Sequence, residues 1–205
     1  LRAARQVAAR ICARIRIRNL GRETLMARGI PIRSASDIEM ARQAGRLAAE
    51  VLGMIEAHVV PGVSTETLDR ICHRYIVDVQ GAVPANLGYL GYPKTILTSV
   101  NQVVCHGIPS PDKILKQGDI VNIDVAIIKD GWFGDTSRMF FVGAPSVLAR
   151  RLVDTTYEAL LAGIRQVRPG ATLGDVGHAI QSVAQREHFS AVSYTHLTLP
   201  TILLV

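Results

Sequence analysis

Apolar residues recur at helical spacing in the first part of the chain. A capping box, Ser36-Asp37-Ile38-Glu39, precedes an apolar stripe that continues until Pro61-Gly62 interrupts it. A second stripe begins near Ser64 and ends at Gly81. Proline and glycine commonly lie just beyond a helix end, so the pattern predicts two helices joined by a Pro-Gly turn.

The same arrangement returns later in the chain. Glu158 to Leu173 repeats the order of Glu50 to Thr65: helix, Pro-Gly, a short polar cap and the next helix. We therefore predict a third helix from about Ser146 to Val167 and a fourth from Thr172 to Arg186. Helix, Pro-Gly, helix is common enough to arise by chance. If the repeat is real, its second copy is cut short.

The segment between the two helix pairs has β-strand character. From Pro84 to Pro109 it is rich in glycine and proline, with β-formers at 95–104, which predicts short strands and loops. Two longer strands are predicted at Ile120 to Ile128 and Trp132 to Val142, joined by the turn pair Asp130-Gly131. Helices and an antiparallel hairpin together indicate an α+β domain.

Two aspartates are predicted to share one face of this hairpin. Counting outward from a two-residue turn places Asp135 opposite Ala126 and diagonal to Asp124. Diagonal neighbours lie on the same face, roughly 7–8 Å apart at the backbone. The other face of the first strand is β-branched throughout and should be buried. It comprises Val121, Ile123, Val125 and Ile127.

Converging carboxylates repel each other and need a neutralising partner, for which a divalent cation is well suited. Two other readings remain open. The aspartates could be exposed residues near a turn, or they could share a proton as an aspartic dyad. A dyad would favour Asp-Thr-Gly, whereas Asp135-Thr136-Ser137 occurs once.

The composition is that of a globular protein, with 48% apolar and 20% charged residues. The net charge of +6 comes from residues 1–33, which hold nine arginines and one acid; the remainder carries a net charge of −2. The body of the chain therefore has no nucleic-acid signature. No apolar run is long enough to span a membrane. The three cysteines, Cys12, Cys72 and Cys105, form no C-x-x-C pair, which favours the reducing cytoplasm.

The two ends of the chain differ from its body. We interpret residues 1–25 as a non-native or disordered basic extension, with a transit peptide or a nucleic-acid-binding arm as alternatives. Residues 26–190 are expected to form the globular part. Residues 191–205 lack charge and glycine, and we interpret them as a non-native tail, although a short apolar strand is also possible.

A histidine lies in a loop before the hairpin, within Cys105-His106-Gly107-Ile108-Pro109. An isolated histidine is more often structural than functional, and neighbours on an extended chain point apart, which disfavours a Cys-His nucleophilic pair. Taken together, however, the segments from Asp37 to about Ser190 resemble type I methionine aminopeptidases. The resemblance is carried by four stretches of sequence: DIEMARQAGRLAAEVLGMIEAHVVPGVST, LGYLGYPKTILTSVNQVVCHGIP, GDIVNIDVAIIKDGWFGDTSRMFFVG and the stretch that runs from Pro169-Gly170 to FSAV at 189–192.

This resemblance implies the pita-bread fold, here incomplete, with the first αβ half and the helices of the second. It implies that Asp124 and Asp135 bind two divalent ions (Co, Mn, Fe or Zn), one carboxylate bridging both. Such ions activate a hydroxide that removes the N-terminal methionine from nascent peptides with a small second residue. A monomer that could associate with the ribosome is expected.

The resemblance also implies individual roles for other residues. His106 would be catalytic and contact the scissile amide of the substrate. The wall of the methionine pocket would include Tyr89, Tyr92 and Cys105. The backbone carbonyls of Asn101 and Val103 would hold a monovalent cation.

The chain departs from the family pattern at its end. The family's metal-binding histidine, within G-H-G-I-G, falls where this chain has Leu197-Thr198-Leu199, and the nearby His196 lacks the flanking glycines. The two glutamate ligands would fall beyond Val205. We therefore expect the parent enzyme to be active and this chain to be inactive. The alternatives are a prolidase or aminopeptidase P-like peptidase and a non-catalytic pita-bread binding module.

Overall fold

A computed structural model describes residues 32–191. The chain divides into two units, Leu1–Ile38 and Glu39–Val205. The first is described only at residues 32–38, which contain the beginning of one helix, and the fold and site below belong to the second. The interpretations of residues 1–25 and of the tail, including His196, lie outside the described residues, apart from position 191.

Helix α1 spans Ala35–Ile55 and begins at a different cap from the predicted one. The Ser34 amide donates to Asp37 Oδ2 at 2.9 Å, and the Asp37 amide donates to Ser34 Oγ at 3.2 Å. The capping box is thus Ser34 with Asp37, and the prediction of Ser36 with Glu39 was wrong. Glu39 instead forms ion pairs with Arg42 and Arg46 on the exposed face of the helix.

Helix α2 spans Thr65–Arg74 and continues into a π-helical turn, Tyr75–Val79. Ser64 caps it, as predicted, by accepting a hydrogen bond from the Thr67 amide at 3.2 Å. The side chains on its apolar stripe that are fully buried are Leu68, Cys72 and Ile76.

Four antiparallel strands follow in the order β1 (Val83–Pro84), β2 (Ile96–Val100), β3 (Ile120–Lys129) and β4 (Trp132–Phe141). Strand β3 is central: β1 and β2 pair with it successively, and β4 forms the hairpin with it. Strand β2 is shorter than the predicted β-rich stretch. It ends where Asn101 adopts a left-handed conformation (φ 54°), and the Asn101 side-chain oxygen accepts from the Ile120 amide.

The core lies between the sheet and the first two helices. The predicted β-branched face of β3 is completely buried, and it packs with the buried faces of α1 and α2. Burying each such side chain contributes roughly 1.5–3 kcal/mol before entropy is counted. Because this face is committed to the core, the alternate residues of β3, Asp124 among them, point away from it.

Helices α3 (Val147–Arg165) and α4 (Leu173–Arg186) confirm the second predicted pair. Ser146 caps α3, and Thr172 with Asp175 forms a capping box on α4. The two helices approach closely at Gly163, where a Cβ would lie 2.9 Å from the Ile180 side chain. The Pro-Gly turns of the two helix pairs have nearly the same backbone conformation, with φ of 89° at Gly62 and 87° at Gly170. Among residues 32–191, no helix has the length and apolarity that crossing a membrane would require.

Candidate active site

The β3–β4 hairpin positions the two aspartates. Both turn residues have positive φ, 50° at Asp130 and 85° at Gly131, as a type I′ turn requires. Asp135 pairs with Ala126, and Asp124 pairs with Ser137. The predicted register is therefore confirmed, and Asp124 and Asp135 are diagonal neighbours on the face opposite the core.

A cleft of about 380 Å³ opens over this face of the hairpin. The two carboxylates and the imidazole of His106 line it together. The rest of its lining is mostly apolar: Asn86, Tyr89, Leu90, Gly91, Tyr92, Pro93, Leu97 and Ile108. A small charged group thus lies beside a larger apolar surface, as in sites that orient a ligand by a few polar contacts.

Electrostatic repulsion is concentrated on Asp124. The pKa of the Asp124 carboxyl is raised to about 6. Burial is the largest cause, followed by the charge of the neighbouring Asp135 carboxyl and a hydrogen bond with it. The charge of His106 acts in the opposite direction. Asp135 itself is exposed. The pair can therefore be neutralised by a proton on Asp124 or by a cation between the carboxylates.

His106 is held at the cleft by the glycine that follows it. The Gly107 carbonyl accepts from the Thr98 amide at 2.7 Å, and the Gly107 amide donates to Ser99 Oγ at 3.2 Å. A Cβ on Gly107 would lie 2.1 Å from the Thr98 carbonyl oxygen, so only glycine fits. His106 has a φ of 56°, which turns its exposed side chain toward the cleft beside Asp124.

The aromatic residues expected in the pocket wall are both in the lining. Tyr92 donates its hydroxyl to the Ile96 carbonyl at 2.9 Å, and burial, then the charges of Asp69 and Asp124, raises the pKa of its phenol. Tyr89 is exposed and lies at the rim, in a short 3-10 turn, Tyr89–Gly91. Leu90 in this turn also has a positive φ, 48°.

Cys105 does not line the cleft, although the resemblance places it in the wall. It is half-buried, and burial together with the Asp124 charge raises the pKa of its thiol. A raised pKa makes the thiol a poorer nucleophile, in agreement with the argument against a Cys-His pair. Asn101 and Val103 are also outside the cleft lining. The Asn101 side chain donates to Asp119 Oδ1 at 2.8 Å, and the cation role of the two carbonyls stays a prediction.

Sequence reasoning missed several residues of the wall. Leu97 pairs directly with Asp124 across β2 and β3, so its place depends on a strand pairing that the sequence did not reveal. Asn86 approaches through the loop before β2, where its amide donates to the Thr95 carbonyl at 3.4 Å. Ile108 could have been found, since it lies two residues from His106 in a motif that had been singled out.

The carboxylate pair fits a divalent cation in part. Its oxygens are suitable donors for hard or borderline metals, and the strand register places both carboxylates on the same face, in the lining of one cleft. Among residues 32–191, however, no group of three or more histidine, cysteine, aspartate or glutamate side chains is arranged to hold a metal. Asp124 and Asp135 can thus supply two donors of a site that needs more.

Comparison with known proteins agrees with this geometry. Residues 39–202 match metallopeptidase family M24. The chain is 58% identical to methionine aminopeptidase of Escherichia coli strain K12 over 163 residues. The aligned region covers 80% of this chain and 62% of that protein. The chain is 53% identical, with the same coverage, to methionine aminopeptidase of Rickettsia prowazekii. The chain thus spans less than two thirds of the length of these relatives.

Solved structures show the same relationship. The methionine aminopeptidase from Rickettsia prowazekii superposes with a TM-score of 0.78 at 53% identity, covering 82% of this chain and 67% of that one. The prolidase from Pyrococcus furiosus superposes with a TM-score of 0.65 at 19% identity, covering 76% of this chain and 44% of that one. At this identity the similarity supports a shared fold only. The described residues therefore have the pita-bread fold, and the chain belongs to metallopeptidase family M24.

Proposed function

We propose that this chain carries the substrate pocket and two metal ligands of a methionine aminopeptidase, which removes the N-terminal methionine from nascent polypeptides. The observation that supports this most directly is the convergence of Asp124, Asp135 and His106 beside an apolar, aromatic-lined cleft. Relatives that are 58% and 53% identical to this chain are named methionine aminopeptidase. The activity named for these relatives is that of the whole proteins, of which this chain matches 62%.

The apolar wall would bind the methionine side chain. Tyr92 presents its ring to the cleft while its hydroxyl is engaged by the Ile96 carbonyl, so the ring is oriented and its polar end is satisfied. Leu97 and Ile108 add aliphatic surface. An unbranched thioether chain is flexible and polarisable and suits an irregular apolar pocket of this kind.

Asp124 and Asp135 would hold the divalent ions, whether Co, Mn, Fe or Zn. When bound, such ions lower the pKa of water and polarise the scissile carbonyl. The carboxylates contribute the negative charge that retains the ions, and Asp124 contributes to it in its ionised form. His106 lines the same cleft and its charge acts on the Asp124 carboxyl, so its imidazole would form a hydrogen bond with the amide next to the methionine residue.

Several finer features belong to the same proposal. Substrates would have a small second residue. The carbonyls of Asn101 and Val103 would bind a monovalent cation. The protein would act in the cytoplasm as a monomer, associating with the ribosome where nascent chains emerge.

The alternatives differ in what the cleft would accept. A prolidase or aminopeptidase P-like enzyme would cleave next to proline, but the likeness to those structures lies between 17% and 22% identity and supports the fold only. A non-catalytic binding module would bind a peptide end without cleaving it.

A chimera tests the proposal. Residues 191–205 would be replaced by the corresponding and subsequent residues of the Escherichia coli relative, so that the chain reaches the relative's full length. With added Mn²⁺ it should release methionine from Met-Ala-Ser. Asp135→Asn should reduce the rate by at least about 100-fold, because that carboxylate is expected to contact both ions.

The matched control is Asp112→Asn, an exposed aspartate in a loop outside the cleft, which should leave the rate unchanged. Cleavage of Xaa-Pro peptides in preference to Met-Ala-Ser would favour the prolidase alternative. Binding of the peptide by the chimera without turnover would favour a binding module.

A further inference from the structure

Asp69 is a buried carboxylate that the proposed chemistry does not use. It lies on α2 and is only 7% exposed. Burial raises the pKa of its carboxyl, and hydrogen bonds from two backbone amides act against that shift. A buried carboxylate is costly, so a specific task is expected of it.

Its partners are Thr95, the residue before strand β2, and Ile96, the first residue of that strand. Asp69 Oδ1 accepts from the Thr95 amide at 2.8 Å and from the Ile96 amide at 3.0 Å. Hydrogen bonds from backbone amides to a charged acceptor are among the stronger ones in proteins. One oxygen atom thus holds two consecutive residues at the entry to β2.

The carbonyl groups of Thr95 and Ile96 bind two polar side chains of the cleft lining. The Thr95 carbonyl accepts from the side-chain amide of Asn86 (Nδ2) at 3.4 Å, and the Ile96 carbonyl accepts from the Tyr92 hydroxyl at 2.9 Å. The Thr95 carbonyl and the Ile96 amide belong to one planar peptide and point in opposite directions. Orienting that amide toward Asp69 therefore orients the carbonyl toward Asn86.

Two further contacts strengthen this connection. His73, four residues after Asp69, contacts Thr95 Oγ1 through Nδ1 at 2.8 Å. Strand β2 then continues to Leu97, which pairs with Asp124. A displacement at the start of β2 would thus move the apolar wall relative to the metal-binding carboxylates.

We propose that Asp69 is a positioning residue, which sets the placement of Tyr92, Asn86 and Leu97 and thereby the selectivity of the cleft for a methionine side chain. The proposal rests on the proposed function for its ligand. Among residues 32–191, the hydrogen bonds of the Asp69 carboxylate come from the backbone amides of Thr95 and Ile96, and Asp69 acts on the cleft through them.

The test compares Asp69→Ala with Asp69→Asn in the 205-residue chain, with Asp78→Asn as the control because Asp78 is exposed and outside the cleft lining. NMR would follow the amide signals of Thr95, Ile96 and Leu97 and the ring signals of Tyr92. Titrations with L-methioninamide and with L-alaninamide would measure affinity. The side chain of L-methioninamide is long enough to contact the apolar wall of the cleft, whereas that of L-alaninamide is a single methyl group.

Asp69→Ala should shift the Tyr92 and Leu97 signals and weaken L-methioninamide binding by about tenfold, because two hydrogen bonds to a charged acceptor are lost. L-Alaninamide binding should change by less than about twofold. Asp69→Asn keeps a carbonyl oxygen as acceptor and should stay within about threefold of the original chain for both probes. A merely structural aspartate would change folding without changing the ratio of the two affinities.

If Asp69→Ala is folded, and both the Tyr92 and Leu97 signals and the affinity ratio match the original chain, the proposal is wrong. If that variant does not fold, Asp69→Glu replaces it, because a longer side chain displaces the acceptor and keeps the charge; an unchanged ratio would then overturn the proposal. Failure of the original chain to bind either probe would count against the proposed function, and the NMR comparison would still decide the role of Asp69.

Discussion

At the scale of single residues, the repulsion between Asp124 and Asp135 is a cost of the site. The pKa of the Asp124 carboxyl is about 6 in the folded chain and 3.8, its ordinary value, in the unfolded chain. Because the folded chain binds this proton more tightly, the free energy of unfolding decreases as pH rises from 3.8 to about 6. Asp124→Asn removes this penalty. Without metal at pH 7.5 it should stabilise the chain by about 1 kcal/mol after allowance for partial exposure. Urea denaturation would measure the gain.

At pH 4 the gain should largely disappear, since the native carboxyl is then protonated and carries no charge to repel Asp135. Asp112→Asn, an exposed loop residue, should show no comparable dependence on pH. A loss of stability in Asp124→Asn at pH 7.5 would mean that the charged carboxylate makes a favourable contact that outweighs the repulsion.

At the scale of elements, the position of the hairpin depends on one close approach between backbones. A Cβ on Gly134, in β4, would lie 2.1 Å from the Ala44 carbonyl oxygen of α1. Neither backbone can yield without moving the hairpin or the helix. Gly134→Ala should therefore destabilise the chain by about 3 kcal/mol, measured by thermal or urea unfolding. Asp135 is the next residue, so the carboxylate pair should be displaced as well.

Gly53→Ala is the matched control. Gly53 lies on the exposed face of α1, and apart from the adjoining backbone of that helix, no atom of the described residues lies within 4 Å of the position that its Cβ would take. Alanine has the higher helix propensity, so this substitution should stabilise the chain by about 0.5 to 1 kcal/mol. If both substitutions destabilised the chain equally, the close approach at Gly134 would not be the cause.

At the scale of the whole molecule, the metal site depends on how many donors are brought together. The described residues contribute two carboxylates and no group of three potential ligands. Two carboxylates on a hairpin should bind metal weakly. We therefore expect about 1 mM MnCl₂ to stabilise the 205-residue chain by less than about 0.4 kcal/mol, the value reached when the concentration equals the dissociation constant. Thermal unfolding with and without Mn²⁺ would measure this.

The chimera described above provides the comparison, since its added residues should supply the missing donors and produce a clear increase in the melting temperature with Mn²⁺. Calorimetric binding of two ions by the 205-residue chain with micromolar affinity would contradict the expectation. It would show that residues other than Asp124 and Asp135 complete a site in this chain.

Local sequence signals determined the elements that carry the carboxylates. The two-residue turn at Asp130-Gly131 sets the pairing of its strands, and the alternation along β3 assigns one face to the core, so the placement of Asp124 and Asp135 on a common face followed from neighbouring residues alone. The helices and their Ser64, Ser146 and Thr172 caps were equally local. The first cap was misplaced because Ser34 and Ser36 both lie at the start of α1, and only the hydrogen bonds of Asp37 distinguish them.

The tertiary structure alone decided what surrounds the carboxylates. Leu97 faces Asp124 because β2 pairs with β3, and Asp69 reaches Thr95 because α2 packs beside the start of β2. These partners are separated by more than twenty residues, and no periodicity or turn motif encodes which distant backbone groups will meet. The placement of the two carboxylates could therefore be predicted from the sequence, whereas the wall of the cleft and the support behind that wall depend on packing between distant segments.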